Sequence, residues 1–383
     1  MDKNKPLCLA LGLGAIGKAV SGYAMNKAGV HVTFADIDES QIQSINNEKG
    51  YWLGTADIYT KQLTVEFVAN VDALHVKSSE ITEVAIKADY IISAVGAKGF
   101  RELLPEVLAW LQARNAVSDA PLYFMVFEND NAAVSLLKDA VLEAFGFWPK
   151  WFHVSKCSIE RMAKVIDTDE YGTIAIAETF FPIIADRKSM EGSGIADCRD
   201  VIELVDDVDK YYYRKLLTNN LGHAVLGYLG YQKGYRNTLE AMNDFEIYRL
   251  LRGALSESGK AICYKWDFSN DHIQQHVDIL MLRYANPGLV DDLGRLARDP
   301  IRKLSPDERI LLPINLCYQF KIIPRNLLEV LLHTIRYTNP NVQGGQELIE
   351  LRQTLGEAGI LKKVCKADDI IIRDVMLVAN NEM

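Results

Sequence analysis

The chain has 383 residues, 49% hydrophobic and 24% charged, with a formal net charge of −9. That length exceeds what one core comfortably fills and predicts two domains. The acidic balance argues against a general affinity for nucleic acid or anionic membrane, while leaving room for a local cationic site that binds a phosphate.

Six cysteines (Cys8, Cys157, Cys198, Cys263, Cys317, Cys365) form no CxxC pair and no regular spacing. They read as reduced thiols of a cytoplasmic protein, not as a disulfide frame or zinc site. Lys3 and Lys5 precede an apolar stretch at 7–10, as in a signal peptide, but that stretch dissolves into glycines. No unbroken apolar run approaches the roughly 18 residues of a spanning helix.

Residues 7–11 are a short apolar strand. Gly12-Leu13-Gly14-Ala15-Ile16-Gly17 follows, then a helical stretch at 18–28 and a β-branched strand at 30–35 that ends at Asp36. In strand, glycine turn, helix, strand and acid, each glycine has a task. The first permits the tight turn, the second lets backbone approach a pyrophosphate, and the third lets helix pack on strand. Amides at the helix N-terminus hold phosphate oxygens. Asp36, 19 residues past Gly17, is placed to accept both ribose hydroxyls and to repel a 2′-phosphate, so the expected cofactor is NAD rather than NADP. Further parallel strands are expected at 88–96, with Gly96 at the carboxyl end near a nicotinamide ribose, and at 121–126, followed by Glu128 and Asn129. Carboxyl ends of such strands are where open α/β sheets place ligands, although a turn pair would give Glu128 and Asn129 the same position.

Residues 172–184, rich in Thr, Ile and Phe, read as strand, and the division between halves is soft near 185–200. Beyond it, apolar residues recur at helical spacing over 201–231, 243–263, 272–284 and 327–337, and Ser305-Pro306-Asp307-Glu308 has the form of a helix start. The expected architecture is α/β: an N-terminal Rossmann-type dinucleotide-binding domain (1–190) and a mainly α-helical substrate domain (191–383).

Within the helical half lies Lys215-Leu216-Leu217-Thr218-Asn219-Asn220-Leu221-Gly222-His223. At about 100° per residue, Asn220 and His223 lie about 140° and 80° around a helix from Lys215, so all three can face one cleft. Oxidising a secondary alcohol without metal needs a base and a donor to the developing alkoxide. Lys215 serves as base if its pKa is lowered, Asn220 donates to the oxygen, and His223 orients the hydroxyl. A surface lysine, a capping asparagine and a core histidine would show the same spacing. His272 and His276 stand at i, i+4, a zinc-compatible pair, but no third ligand is evident and a solvated helix face explains them.

The K-x4-N-x2-H pattern of Lys215, Asn220 and His223 resembles the signature of the polyol-specific long-chain dehydrogenases. Arg283-Tyr284-Ala285-Asn286-Pro287, Asp291-Asp292, Arg295 and residues 299–304 resemble that family's C-terminal block. Phe34-Ala35-Asp36, Ala94-Val95-Gly96, Glu128-Asn129 and Glu178-Thr179-Phe180 look like its branch that acts at carbon 5 of mannitol 1-phosphate. The resemblance runs from about residue 7 to beyond Pro313. It implies NAD-dependent, metal-independent interconversion of D-mannitol 1-phosphate and D-fructose 6-phosphate, with Lys215 as acid/base completed by Asn220 and His223. It also implies that Asn129, Glu160, Arg283 and Asn286 contact substrate or nicotinamide.

A phosphorylated substrate needs a cation clamp, for which Arg283, Arg295, Arg302 and Lys303 are candidates. The family's glycine loop commonly reads GAGNIGRG, whereas Lys18-Ala19 closes it here. Its aspartate-arginine-isoleucine-x-proline block is Glu160-Arg161-Met162-Ala163-Lys164 here, which leaves open another polyol, polyol phosphate or sugar acid as substrate. A non-catalytic NAD sensor, or an opine or ketopantoate type of dehydrogenase, would share the two-domain plan. The expected partner is the small-molecule substrate alone, and the expected state is a monomer or small homo-oligomer.

Overall fold

The computed structural model describes residues 5–128, 132–179 and 181–380. It comprises two compact units, Met1–Tyr211 and Tyr212–Met383. The division drawn at 190/191 from sequence falls inside the first of them.

Among the described residues, the first unit has the strands β1 (Leu7–Leu11), β2 (His31–Asp36), β3 (Gly50–Ala56), β4 (Leu63–Ala69), β5 (Val71–His75), β6 (Tyr90–Ser93), β7 (Leu122–Val126), β8 (Phe152–Ser158), β9 (Ala163–Thr168), β10 (Gly172–Glu178), β11 (Ile183–Asp186) and β12 (Ile202–Val205). The large sheet has the order β12-β11-β8-β7-β6-β1-β2-β5. Its β8-to-β5 portion is parallel throughout, so the order reverses at β1 beside β6. Such a reversal opens a crevice at the carboxyl ends of the strands.

Alternate residues of β1 explain why its run is continuously apolar. Cys8 and Ala10 enter one core, and Leu9 and Leu11 enter the core on the opposite face. The stretch 172–184 forms two strands in different sheets, since β10 belongs to a smaller sheet of order β4-β3-β10-β9.

Arg161, just before β9, ties that smaller sheet to the glycine-loop helix. Its guanidinium donates to the carbonyls of Glu178 (2.8 Å) and Ala19 and lies 5.0 Å from the Tyr23 ring centroid. Burial lowers its pKa to about 10, so it stays charged at neutral pH.

One expected helix is corrected at its start. The stretch 201–231 begins with a strand, because Ile202–Val205 pairs in parallel with β11. Sheet pairing of β-branched residues overrides the helical period there. Ser305 opens no helix either: its hydroxyl turns back to the Arg302 carbonyl at 2.8 Å, and the next helix starts at Leu311.

The second unit is helical. Leu221–Gln232 is buried on nearly every side and packs against Phe245–Trp266, Leu293–Ala297 and Arg325–Ile335, as an all-round apolar helix must. Asp244 caps Phe245–Trp266 by accepting from the amides of Glu246 and Ile247, and Ser269 caps Asn270–Tyr284 through the amide of His272. Among the described residues no helix is long and apolar enough to cross a membrane.

Replacing Arg161 with Met would leave buried carbonyls without donors. The expected loss is about 2–4 kcal/mol, measured by urea unfolding at pH 7; a change below about 0.5 kcal/mol would show that the tie is not structural.

Candidate active site

The glycine loop separates its three tasks physically. A Cβ on Gly12 (φ 102°) would lie 2.8 Å from the Ala94 carbonyl oxygen, and one on Gly17 would lie 2.0 Å from the Gly12 carbonyl oxygen. A Cβ on Gly14 would meet no atom beyond its chain neighbours within 4 Å, which is the open approach a pyrophosphate needs. Asp36, at the end of β2, accepts from the amides of Leu13, Ile37 (2.7 Å) and Asp38 (3.0 Å). A carboxylate has about four acceptor positions, so capacity remains for a ribose hydroxyl. The Asp36 carboxylate also braces the loop itself, a role its spacing did not announce. Ile37 beside it is 73% exposed and offers an apolar face next to that ribose position.

Lys18 is buried, and burial lowers its pKa while Asp38, Asp36 and Glu48 raise it. Gly96 has φ 80° and opens the helix Gly96–Asn115. Glu128 accepts from the Val95 amide at 3.1 Å and so anchors the turn before Gly96. Asn129 lies outside the described residues, as does Phe180. Glu160 is half-buried.

In the second unit, Lys215 ends the helix Val208–Lys215, and a π turn, Leu216–Asn220, runs into Leu221–Gln232. π turns bond i to i+5 and occur often at functional sites. Lys215 immediately precedes this turn and Asn220 is its last residue, so the wider π turn brings them closer in angle than the about 140° of a regular helix. His223 follows at i+3 from Asn220, on the same face. Both Lys215 and Asn220 are half-buried.

His223 has a specific setting. Its ring meets Tyr284 edge-on at 5.2 Å, and its Nε2 is buried without a hydrogen-bond partner, 3.9 Å from Asp291 Oδ2. Burial, then Arg283, Arg295, Arg309 and Lys303, hold its pKa well below 6.5. His223 is thus a neutral imidazole with one unsatisfied nitrogen, ringed by cations.

Those cations include three of the four candidates for a phosphate clamp. Arg283 is buried, and Arg295 pairs with Asp291 at 2.6 Å. Lys303 is buried and donates to the Leu296 carbonyl, and burial followed by Arg309 and Arg302 lowers its pKa to about 7. Arg302 turns instead to Glu308. Arg309, which also pairs with Glu308 at 3.1 Å, is a site cation that the sequence did not single out. Asn286 is buried and its Oδ1 accepts from the Gly288 amide at 3.1 Å, which shapes the Asn-Pro-Gly turn.

The solvated-face explanation for His272 and His276 needs correction. His272 is exposed, stacks on Phe268 and meets Arg214 at 2.6 Å, but His276 is buried against the Thr218 hydroxyl at 2.9 Å. Among the described residues no group of three or more His, Cys, Asp or Glu is placed to hold a metal.

A parallel nucleotide-binding sheet in one unit and a helical unit carrying a lysine, an amide and a neutral imidazole define a Rossmann-type dehydrogenase. Residues 7–195 match the mannitol dehydrogenase Rossmann domain and residues 207–369 the mannitol dehydrogenase C-terminal domain. The chain belongs to the mannitol dehydrogenase family. It is 31% identical to a mannitol-1-phosphate 5-dehydrogenase of Thermoanaerobacter pseudethanolicus, over 83% of this chain and 82% of that one. A protein of the same name from Oceanobacillus iheyensis is 28% identical over 95% of this chain and 96% of its own. In fold the chain is similar to a substrate-free D-sorbitol dehydrogenase (TM-score 0.80, 14% identity, covering 99% of this chain and 94% of that one). It is also similar to Pseudomonas fluorescens mannitol 2-dehydrogenase (TM-score 0.72, 14% identity, covering 99% and 92%).

The depressed pKa of His223 sets a sign for stability. Below about pH 6.5 the unfolded chain takes up a proton that the folded chain refuses, so stability falls as pH drops, by up to about 1.4 kcal/mol per pH unit from this group. His223→Gln is expected to flatten that dependence between pH 6.5 and 5, measured by urea unfolding at each pH. An unchanged slope would mean that His223 titrates normally in the folded protein.

Proposed function

We propose that the protein is an NAD-dependent polyol-phosphate dehydrogenase that interconverts D-mannitol 1-phosphate and D-fructose 6-phosphate, with Lys215 as general acid/base. The observation that carries this reading is the neutral, unsatisfied Nε2 of His223, one turn from Asn220 and a π turn from Lys215. Relatives named mannitol-1-phosphate 5-dehydrogenase, matched over most of the chain, supply the substrate class.

When bound on the Gly12–Gly17 loop and Asp36, NAD supplies the hydride acceptor. The open space at Gly14 and the spare acceptor capacity of Asp36 fit that cofactor. The chain's own residues handle the proton and the oxygen. The Lys215 amine takes the hydroxyl proton as the carbon–hydrogen bond breaks, and it returns that proton in the reverse direction. Asn220 donates from its amide to the oxygen as charge develops. His223, held neutral, binds the hydroxyl through Nε2 and fixes its direction. A charged imidazole there would compete with Lys215 for the role of acid, and the surrounding cations prevent it. Arg283 and Arg295, whose charges reach His223, favour an anionic substrate.

A second reading, an unphosphorylated polyol or sugar acid, is favoured by one observation. Arg295, Arg302 and Lys303 are already engaged by Asp291, Glu308 and the Leu296 carbonyl, so a phosphate must displace those partners.

NADH consumption by purified protein, with D-fructose 6-phosphate, D-fructose and other ketoses and ketose phosphates in parallel, separates these readings. Turnover with fructose 6-phosphate, reduced about 10²–10⁴-fold in Lys215→Ala, is the expected result. Turnover confined to an unphosphorylated ketose would move the substrate, and an active Lys215→Ala variant would remove the lysine from the chemistry.

A further inference from the structure

A π turn leaves backbone carbonyls without their regular helical partners, and buried carbonyls demand donors. Two hydroxyls meet carbonyls of this one, and a third, from within it, meets a carbonyl just before it. Thr218 Oγ1 donates to the Arg214 carbonyl at 2.6 Å, Ser258 Oγ to the Leu217 carbonyl at 2.6 Å, and Tyr284 Oη to the Asn219 carbonyl at 2.9 Å. Ser258 comes from Phe245–Trp266 and Tyr284 from Asn270–Tyr284.

The Thr218 hydroxyl has a single proton, and that proton goes to Arg214. It must therefore accept at its 2.9 Å contact with His276, which makes His276 Nε2 the donor. Room for Tyr284 comes from Gly222, where a Cβ would lie 2.3 Å from the tyrosine oxygen. The glycine inside the lysine motif thus has a local purpose.

We propose that His276 and Tyr284 are positioning residues: they lock Leu216–Asn220 in the π register and so hold Asn220 closer in angle to Lys215 than a regular helix would. Without the hydroxyl donors the turn relaxes to an ordinary helix, and Asn220 swings around the axis away from the amine. This inference rests on the reading of Lys215 as base, but the register itself is observable without any chemistry.

The test uses Thr218→Val, Thr218→Ser, His276→Ala, the Thr218→Val/His276→Ala double variant and Tyr284→Phe in the full-length enzyme. The expected result is a kcat loss of about 10- to 100-fold in Thr218→Val, His276→Ala and Tyr284→Phe, with the KM for NADH unchanged. The double variant should be no worse than the poorer single, since both substitutions remove one bond, and Thr218→Ser should recover activity. The pH limb of kcat/KM belonging to the base should shift. Crystal structures of the double variant and of Tyr284→Phe should show residues 216–220 as regular helix. A π turn retained in both overturns the proposal whatever Lys215 does. Losses that appear only in the melting midpoint, with kcat and the pH limb intact, overturn it as well. An active Lys215→Ala variant overturns the base assignment alone, and the crystallographic register then decides the positioning claim.

Discussion

The need of buried carbonyls for donors governs the chemistry-bearing parts of this protein. Each of its two motifs runs directly into a π turn, Gly17–Gly22 after the glycine loop and Leu216–Asn220 after the lysine. In each, a tyrosine hydroxyl binds one of the turn's carbonyls, Tyr51 on Lys18 at 2.7 Å and Tyr284 on Asn219. In each, a glycine makes room, since a Cβ on Gly22 would lie 2.6 Å from the Tyr51 oxygen. Two unrelated units have reached the same local solution. A rigid, rewound helix start sets side-chain or amide directions more tightly than a loop can.

Electrostatics then act on a fixed frame. His223 is buried and has no hydrogen bond at Nε2, and several cations outweigh the Asp291 carboxylate 3.9 Å away. Burial and the cations disfavour the imidazolium, which leaves the proposed base role to Lys215. The same cations suit an anionic substrate, and Asp291 and Glu308 already pair with Arg295 and Arg309 among them.

Much of this was legible in sequence because it is local. The glycine loop, Asp36 and the strands at 7–11, 30–35 and 121–126 follow from period and spacing. Asp36 lies in the expected place because one strand separates it from the helix. What was not legible depends on distant partners. Residues 201–205 read as helix and became β12 through pairing with β11. The pairing of His276 with Thr218 joins residues 58 apart, and no period announces it. The reason for Gly222 lies 62 positions on, in Tyr284 packed against it. The π turn was invisible for the same reason, since its hydroxyl donors Ser258 and Tyr284 come from two other helices. Spacing at about 100° per residue therefore does not describe the turn that joins Lys215 to Asn220.

The most direct test of the account is chemical rescue of Lys215→Ala by small primary amines, followed as NADH consumption across a range of amine basicity and pH. The account predicts that activity returns in proportion to the free-base amine and rises with its basicity, because the cavity left by the side chain still faces Asn220 and His223. A variant that binds NADH, keeps its fold and yet gains nothing from any amine would contradict a lysine base at this position.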